Sequence, residues 1–267
     1  RQQVQAPRLA LTCGLGGFTA EGNAYAVLLD GADETPMPWV NVIANPHFGT
    51  VITESGAAHT WAGNSRENRL TPFANDPISD PSSEAIYVRD DDTGEFWSPT
   101  PGPVARSAAD GRCVVRHSPG LTRFARGTHG IQHTLDVFVD AKAPVKYSLL
   151  TVANPGHAVR TLSVFAYQEW LLGPPREGQQ LHVVTTRDET SGAIVATNAY
   201  NQEFAGHVAF AHASETVVSA TGSRHAFLGR HGDAARPAAL SLATLPDDHG
   251  TSLDPCAALQ CRVVLHP

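Results

Sequence analysis

Apolar residues recur at every second position through much of this chain, which is the pattern of half-buried β-strands. The alternate apolar residues of 135–139 are predicted to face the core from one strand, and Val145, Tyr147 and Leu149 from the next. The other strand candidates are VNVIAN, EAIYVRD, RTLSVFAYQEW, LHVVTTRD, GAIVATNAY, HVAFAHAS, ETVVSATG and LQCRVVLH. Turn residues separate these segments at short intervals.

The strands are expected to be antiparallel, because no stretch shows the apolar stripe of a crossover helix. Many antiparallel strands without an internal repeat predict an all-β fold, a large two-sheet β-sandwich. A chain of 267 residues fits one such domain over 1–267. Between 64 and 83 the alternation lapses into NSRENRLTPFANDPISDPSS, which predicts a long ordered loop of the kind that often carries function.

Charge and cysteine content exclude several classes of protein. Acidic residues outnumber basic ones by 26 to 19 without a Lys/Arg run, so nucleic acid is not an expected partner. No apolar run is long enough to cross a bilayer, and we expect no membrane insertion. The four cysteines lack the spacing of a zinc site and are interpreted as reduced thiols of a cytoplasmic protein. The abrupt start suggests a piece of something longer.

The segment from Trp39 to Pro101 has the composition of a sugar-binding surface. Its aromatic rings, Trp61, Phe73 and Trp97, alternate with Asn, Arg and Asp side chains. A pyranose stacks its C–H face on such a ring and pairs its hydroxyls with planar polar groups. The same residue types also build turns between strands, so composition alone leaves both interpretations open.

Catalytic signatures are weak. Two opposed carboxylates could perform glycoside chemistry, and the candidates are Glu54, Asp76, Asp80 and Glu84. His129 and His133 are four residues apart, but a third metal ligand at suitable spacing is missing. There is no GxSxG elbow, P-loop, HExxH or dinucleotide fingerprint. We therefore expect no catalytic residue, no metal and no cofactor.

Three segments together carry a resemblance to a known family: ESGAAHTWAGNSRENRLTPFANDPISDP, YVRDDDTGEFWSPTP and DPCAALQ. They resemble the N-terminal β-sandwich domain of glycoside hydrolase family 94, most closely in the phosphorylase-like part of cyclic β-1,2-glucan synthases. Further matching landmarks are LGGF, PWVNVIANPHFG, HGIQHTLDVFV, VKYSLLTVANPG, LSVFAYQEWLLG and FLGRHG. The likeness runs along the whole chain in the expected order.

The resemblance implies a supersandwich of the galactose-mutarotase-like type. In the family, a helical linker joins this domain to an (α/α)6 barrel, whose aspartate acts as general acid while phosphate attacks the anomeric carbon with inversion. These residues contain no counterpart of that aspartate, so the fragment is expected to be inert as a phosphorylase. The implied partners are a β-glucan oligosaccharide, the missing barrel of the same chain and a second copy in a homodimer.

The resemblance also implies that loops of the domain lie near the sugar-binding cleft. The residues expected to touch glucan, or to shape the loop that does, are Trp61, Asn64, Arg66, Arg69, Asp76 and Trp97. In the structural alternative, the arginines pin the loop to Glu67, Asp76 or Asp80. Trp61 and Trp97 then serve as core.

Three functions compete. The first is a non-catalytic carbohydrate-binding or accessory domain of a β-glucan-processing phosphorylase or synthase. The second is an architectural domain for subunit pairing and barrel docking, which predicts exposed apolar patches. The third is a mutarotase- or epimerase-like enzyme with a histidine acid and a carboxylate base. The expected compartment is the cytoplasm, with a parent protein anchored in the inner membrane as an alternative.

Overall fold

A computed structural model describes residues 4–174, 176–251 and 254–267. Within them the chain forms eighteen strands, one α-helix and three 3-10 helices. The strands are β1 (Leu9–Cys13), β2 (Gly16–Thr19), β3 (Tyr25–Leu29), β4 (Val40–Ala44), β5 (Phe48–Thr53), β6 (Ala58–Ala62), β7 (Glu84–Asp90), β8 (Phe96–Trp97), β9 (Cys113–Ser118), β10 (Leu121–Thr128), β11 (Ile131–Val139), β12 (Lys146–Ala153), β13 (Arg160–Glu169), β14 (Val183–Arg187), β15 (Ile194–Asn198), β16 (Ala209–Ala211), β17 (Val217–Ser223) and β18 (Pro255–Leu265). The helices are α1 (Arg224–Leu228) and the 3-10 turns Gln179–Leu181, Gln202–Phe204 and Ala238–Ser241. Positions 1–3, 175, 252 and 253 of the predicted domain lie outside the described residues.

The strands pair in antiparallel fashion in four sheets. A seven-stranded sheet has the order β1-β2-β3-β9-β10-β11-β12, and a five-stranded sheet has the order β17-β18-β13-β7-β8. Two three-stranded sheets, β4-β5-β6 and β14-β15-β16, pack against these large ones. The predicted all-β antiparallel fold is confirmed.

The core lies between the sheets. Leu135 and Val137 of β11 are each 4% exposed, as the alternation of 135–139 predicts, and they pack with Ile43 and Ile52 of the β4-β5-β6 sheet. At the other end of β11, Ile131 packs among side chains of the five-stranded sheet. The seven-stranded sheet therefore covers both the five-stranded sheet and the small β4-β5-β6 sheet.

The five-stranded sheet is covered on both faces. On one face, Leu259 of β18 packs with Ile194 and Val183 of the β14-β15-β16 sheet. On the other face, Phe227 of α1 stacks on Tyr167 of β13, with ring centroids 4.8 Å apart. The central residues of β13 and the first part of β18 therefore pack on both faces of the sheet.

The predicted inward face of β12 is wrong. Tyr147 is 45% exposed and Leu149 is 58% exposed, whereas Leu150 and Val152 pack against the core. The cause is Lys146, whose ammonium reaches inward to bind Glu84. Because successive side chains of a strand point to opposite faces, this contact turns the set with Lys146 inward and the set with Tyr147 outward.

The long loop predicted between strands is confirmed. β6 ends at Ala62 and β7 begins at Glu84, with neither strand nor helix between them. The intervening segment, 63–83, crosses from the β4-β5-β6 sheet to the five-stranded sheet. It is called the bridging loop below.

Candidate carbohydrate-binding site

Backbone pairing holds the first part of the bridging loop in place. The Ala62 N–H donates to Asn68 O at 3.2 Å, and Arg69 forms backbone bridges to both Trp61 and Gly173. The Asn201 amide group, which follows β15, donates to Glu67 O at 3.1 Å. The loop is therefore tied to β6, to the end of β13 and to the β14-β15-β16 sheet, which makes it an ordered surface.

Three rings form a row beside this loop, and we call Trp61, His59 and Phe73 the aromatic row. His59 and Trp61 alternate along β6, so both side chains lie on the same face. The His59 ring centroid lies 5.7 Å from that of Trp61 and 5.0 Å from that of Phe73, with which it stacks. Phe73 is 43% exposed and Trp61 is half-buried, whereas His59 is only 5% exposed, so the open ring surface belongs to Phe73 and Trp61.

A glycine and a backbone carbonyl fix the row. Gly49 pairs with Trp61 across the sheet, and a Cβ at Gly49 would lie only 2.3 Å from Cζ2 of the indole. His59 Nδ1 lies 2.7 Å from Thr71 O, so this nitrogen carries the proton and donates it. Burial lowers the pKa of His59, which favours the neutral ring. The row is thus neutral, apolar on its faces and fixed in orientation.

A buried ion pair supports β6 and the bridging loop from the core side. Glu84 accepts hydrogen bonds from the hydroxyls of Thr60 at 2.6 Å and Thr71 at 2.8 Å, and it binds the Lys146 ammonium. Burial alone would raise the pKa of Glu84, but Lys146 and the two hydroxyls outweigh it and hold the pKa below its ordinary value. Strands β6, β7 and β12 therefore meet at one charged contact.

The predicted residues Asn64, Arg66 and Asp76 lie on the exposed side of the bridging loop. Asn64 Oδ1 accepts the N–H groups of Arg66 at 2.9 Å and of Glu67 at 3.0 Å, which closes a turn. The Asp76 carboxylate accepts the Ser79 hydroxyl at 2.6 Å, and this bond lowers the pKa of Asp76. Asn64 and Asp76 thus shape the loop, while their remaining polar atoms face solvent.

The two predicted arginines make few contacts. Arg66 is exposed and approaches Glu67 through one nitrogen at 3.3 Å, and Arg69 Nε donates to Ser65 O at 3.3 Å. Within the described ranges neither arginine forms an ion pair with Asp76 or Asp80. Of the partners weighed from the sequence, Glu67 pairs with Arg66 through one nitrogen rather than two, and the guanidinium groups have further donors for other acceptors.

Trp97 lies in the core, away from solvent. It is 1% exposed, and its indole N–H donates to His133 Nε2 at 2.7 Å. The ring stacks on His129, with centroids 4.5 Å apart. No sugar can reach this ring in the described fold. Trp97 therefore does not fit the predicted role of touching glucan, and it fits the alternative role of a core residue.

The carboxylate candidates support turns. Glu54 and Asp80 line a groove of ≈ 730 Å³, and burial raises the pKa of Glu54. Both Glu54 oxygens accept hydrogen bonds, one of them from the Trp39 N–H at 2.6 Å. Asp80 Oδ2 accepts the hydroxyls of Thr53 at 2.9 Å and Ser55 at 2.6 Å. These bonds engage the carboxylates in holding the β5–β6 connection.

The described part of the chain contains neither a metal-binding cluster of side chains nor a membrane-spanning helix. No group of three or more His, Cys, Asp or Glu residues there is arranged to hold a metal ion. The four cysteines are unpaired, and all except Cys13 are buried. None of the helices that the structure describes is long and apolar enough to span a bilayer.

Sequence reasoning missed His59 and Lys146. His59 could have been found, because it stands two positions before Trp61 in AHTWA and so shares its strand face. Lys146 gives no local signal, since its partner Glu84 is distant along the chain.

Comparison with known families identifies the family to which this domain belongs. The family model for the glycosyl hydrolase 94 supersandwich domain matches residues 23–267. This chain belongs to glycoside hydrolase family 94. The resemblance inferred from the sequence motifs is thereby confirmed, as is the supersandwich type of the fold.

Several curated proteins are similar to this family 94 domain. It is 37% identical to the cyclic β-(1,2)-glucan synthase NdvB of Rhizobium meliloti (strain 1021), over 94% of this chain and 9% of that protein. It is 28% identical to the N,N'-diacetylchitobiose phosphorylase of Vibrio furnissii, over 94% of this chain and 32% of the relative. It is 27% identical to the solabiose phosphorylase of Paenibacillus borealis, over 95% of this chain and 33% of the relative. The chain thus spans a third or less of the length of these relatives.

Proposed function

We propose that this chain is a carbohydrate-binding accessory domain of a β-glucan-processing phosphorylase or cyclic β-1,2-glucan synthase, and that it is non-catalytic by itself. The aromatic row carries the proposal. Phe73 and Trp61 present open ring surface, and Arg69 lies directly beside Trp61 in the backbone ladder. The names of the relatives, a β-(1,2)-glucan synthase and disaccharide phosphorylases, support a sugar as the ligand.

The chemistry of binding follows from the two kinds of group at the site. A pyranose ring places its C–H face on Trp61, where the contact removes apolar surface from water. Arg66 and Arg69 donate to ring hydroxyls from the neighbouring loop. Because the surface is open and hydroxyl groups are well solvated, the affinity is expected to be modest.

In a longer protein, this domain would hold glucan beside a catalytic part elsewhere in the same chain. The relatives support this division, since each is at least three times as long as the segment it shares with this chain. The remaining part of such a chain and a second copy of the domain are the proposed partners. The mutarotase-like alternative lacks support, because Glu54 and Asp80 are engaged in turns.

An architectural role is the second candidate, and one observation favours it. Ile78 is 95% exposed at the tip of the bridging loop. The Asp76 carboxylate fixes this tip by accepting the Ile78 N–H at 3.0 Å, and Asn75 and Asp80 adopt left-handed conformations at φ 46° and 36°. A fixed, fully exposed isoleucine is the type of side chain that packs against another surface.

Titration of the intrinsic tryptophan fluorescence with β-1,2-gluco-oligosaccharides tests the proposal. Trp97 and Trp170 are buried, so a change on binding reports mainly on Trp61 and Trp39. We expect saturable quenching in the wild-type protein. Trp61→Ala should remove the quenching, and calorimetry should show affinity weakened about tenfold, equivalent to about 1.4 kcal/mol.

Phe18→Ala is the matched control for the aromatic row. Phe18 is 49% exposed and contacts Tyr25 on the seven-stranded sheet, away from the bridging loop. Its substitution should leave the affinity unchanged. If calorimetry detects no heat with any oligosaccharide at millimolar concentration, the binding role is rejected and the architectural role is favoured.

A further inference from the structure

A second exposed pair of rings lies near the bridging loop, to which the neighbouring Asn201 is hydrogen-bonded. Tyr200, which follows β15, is 62% exposed, and its ring stacks on that of His182 with centroids 4.0 Å apart and planes 12° apart. Each ring covers one face of the other and leaves its outer face open. We call Tyr200 and His182 the second platform.

One buried amide connects the segments that carry the second platform. Asn198 is 4% exposed, and its Oδ1 accepts the Tyr200 N–H at 3.0 Å. Its Nδ2 donates to Gln179 Oε1 at 3.2 Å, and Gln179 begins the 3-10 helix that ends just before His182. The His182 N–H in turn donates to Gln179 O at 3.0 Å. Asn198 therefore links the backbone segment of Tyr200 to the 3-10 helix that precedes His182.

The bridging loop connects the second platform to the aromatic row. Asn201, next to Tyr200, donates to Glu67 O at 3.1 Å and to Leu172 O at 3.3 Å. Arg69 stands in the backbone ladder between Trp61 and Gly173. Two strand spacings of the usual size put Gly173 about 10 Å from Trp61. Bound sugar would cross the Arg69 segment to reach both sets of rings.

We propose that Tyr200 and His182 form a second sugar-stacking platform, which binds a distal pyranose of the oligosaccharide whose other end lies on the aromatic row. This inference rests on the proposed carbohydrate-binding function and extends it. The ligand class is a β-linked gluco-oligosaccharide long enough to cover both platforms.

The chemistry of the two rings fits such a unit. The open face of Tyr200 accepts the C–H face of a pyranose, and its phenolic hydroxyl at the ring edge donates to or accepts from a sugar hydroxyl. The stacked histidine stiffens the ring, so little conformational freedom is lost on binding. Because a long ligand engages the second platform intramolecularly, affinity should increase with chain length.

The test is calorimetric titration of the protein with β-1,2-gluco-oligosaccharides from the disaccharide upwards. In the wild type, affinity should rise with length until both platforms are covered. Tyr200→Ala should weaken binding of long oligosaccharides about tenfold and leave the disaccharide unaffected, so that the length dependence disappears. Tyr200→Phe keeps the ring and should retain most of the length dependence.

Tyr147→Ala is the matched control for the second platform. Tyr147 is 45% exposed and stacks on Phe138 at 5.2 Å, but it lies on the outer face of the seven-stranded sheet. Its substitution should change nothing at any length. If Tyr200→Ala binds every oligosaccharide as the wild type does while Trp61→Ala is weakened, the second platform is rejected and the binding function stands. If the wild type binds none, both proposals fail.

Discussion

Trp61 and Trp97 belong to the same stretch of sequence, and each has a histidine ring beside it, yet their surroundings differ. Trp97 lies between the two large sheets, is 1% exposed and donates its indole N–H to His133. Trp61 lies on a three-stranded sheet, with Gly49 beneath its indole and part of the ring open to solvent.

The difference shows what decides whether an aromatic residue can bind a ligand. Core side chains and the stacked His129 ring enclose Trp97, and a hydrogen bond occupies its only polar atom. At Trp61, the sheet covers one face, and the bridging loop passes beside the ring without closing over it. The residue type is the same in both places, so the layer in which the strand lies determines the role.

Replacing each tryptophan with alanine tests this contrast most strongly. Trp97→Ala should lower the free energy of unfolding by about 3–5 kcal/mol, since it leaves a large cavity between the sheets. Trp61→Ala should lower it by only about 1 kcal/mol, because the indole is half-buried. Urea denaturation followed by circular dichroism measures both values. Equal losses in the two variants would contradict the contrast between an open and a closed ring.

Acid should destabilise the fold in part through the Trp97 region. Burial lowers the pKa of His133 to about 4 from its ordinary value of 6.5, and the neutral Nε2 accepts the Trp97 N–H. Between these two pH values the unfolded chain binds the proton more readily than the folded one. Stability is therefore lost as pH falls from about 6.5 towards 4, by about 3 kcal/mol for this histidine.

His133→Gln isolates this contribution, since glutamine can still accept from Trp97 and does not titrate. Unfolding curves measured between pH 4 and pH 7 should show a slope reduced by about 1.4 kcal/mol per pH unit, which corresponds to one proton. His117, whose pKa is likewise lowered to about 4 by burial, should keep a residual slope in this variant. An unchanged slope in His133→Gln would disprove the assignment.

The smallest effect is expected for Arg66→Ala. The side chain is 84% exposed and makes one contact, to Glu67 at 3.3 Å, so its loss should change the free energy of unfolding by less than about 0.5 kcal/mol. Sugar affinity should nevertheless fall about twofold to threefold if the guanidinium donates to a hydroxyl. Thermal unfolding and calorimetry on the same sample separate the two. A stability loss as large as that of Trp61→Ala would indicate a structural role for Arg66.

Alternation along the sequence was sufficient to predict strands whose buried face is apolar. β11 is an example, because its alternate residues Leu135 and Val137 are buried in the core. It failed to identify β10, whose inward residues include Thr122, Arg126 and Thr128 beside Phe124. A buried guanidinium in a strand looks like surface sequence until its partners on other strands are known.

The candidate site was only partly predictable for the same reason. Motifs locate the bridging loop, and composition picks out Trp61 because both are local properties of the chain. The second platform depends on Asn198, which joins the 3-10 helix at Gln179 to the residue after β15. Contacts between segments that are distant in sequence arise when the sheets pack. They cannot be predicted from local composition.

The pairing of Gly49 with Trp61 makes substitutions at these two positions depend on each other. The indole occupies the volume that a side chain at 49 would need, at 2.3 Å from the position of its first carbon. A gene that acquires alanine at 49 must therefore reorient or replace the tryptophan, and a gene that loses the tryptophan frees position 49 to vary. We therefore expect positions 49 and 61 to co-vary during evolution, with the exposed indole retained only where position 49 is glycine.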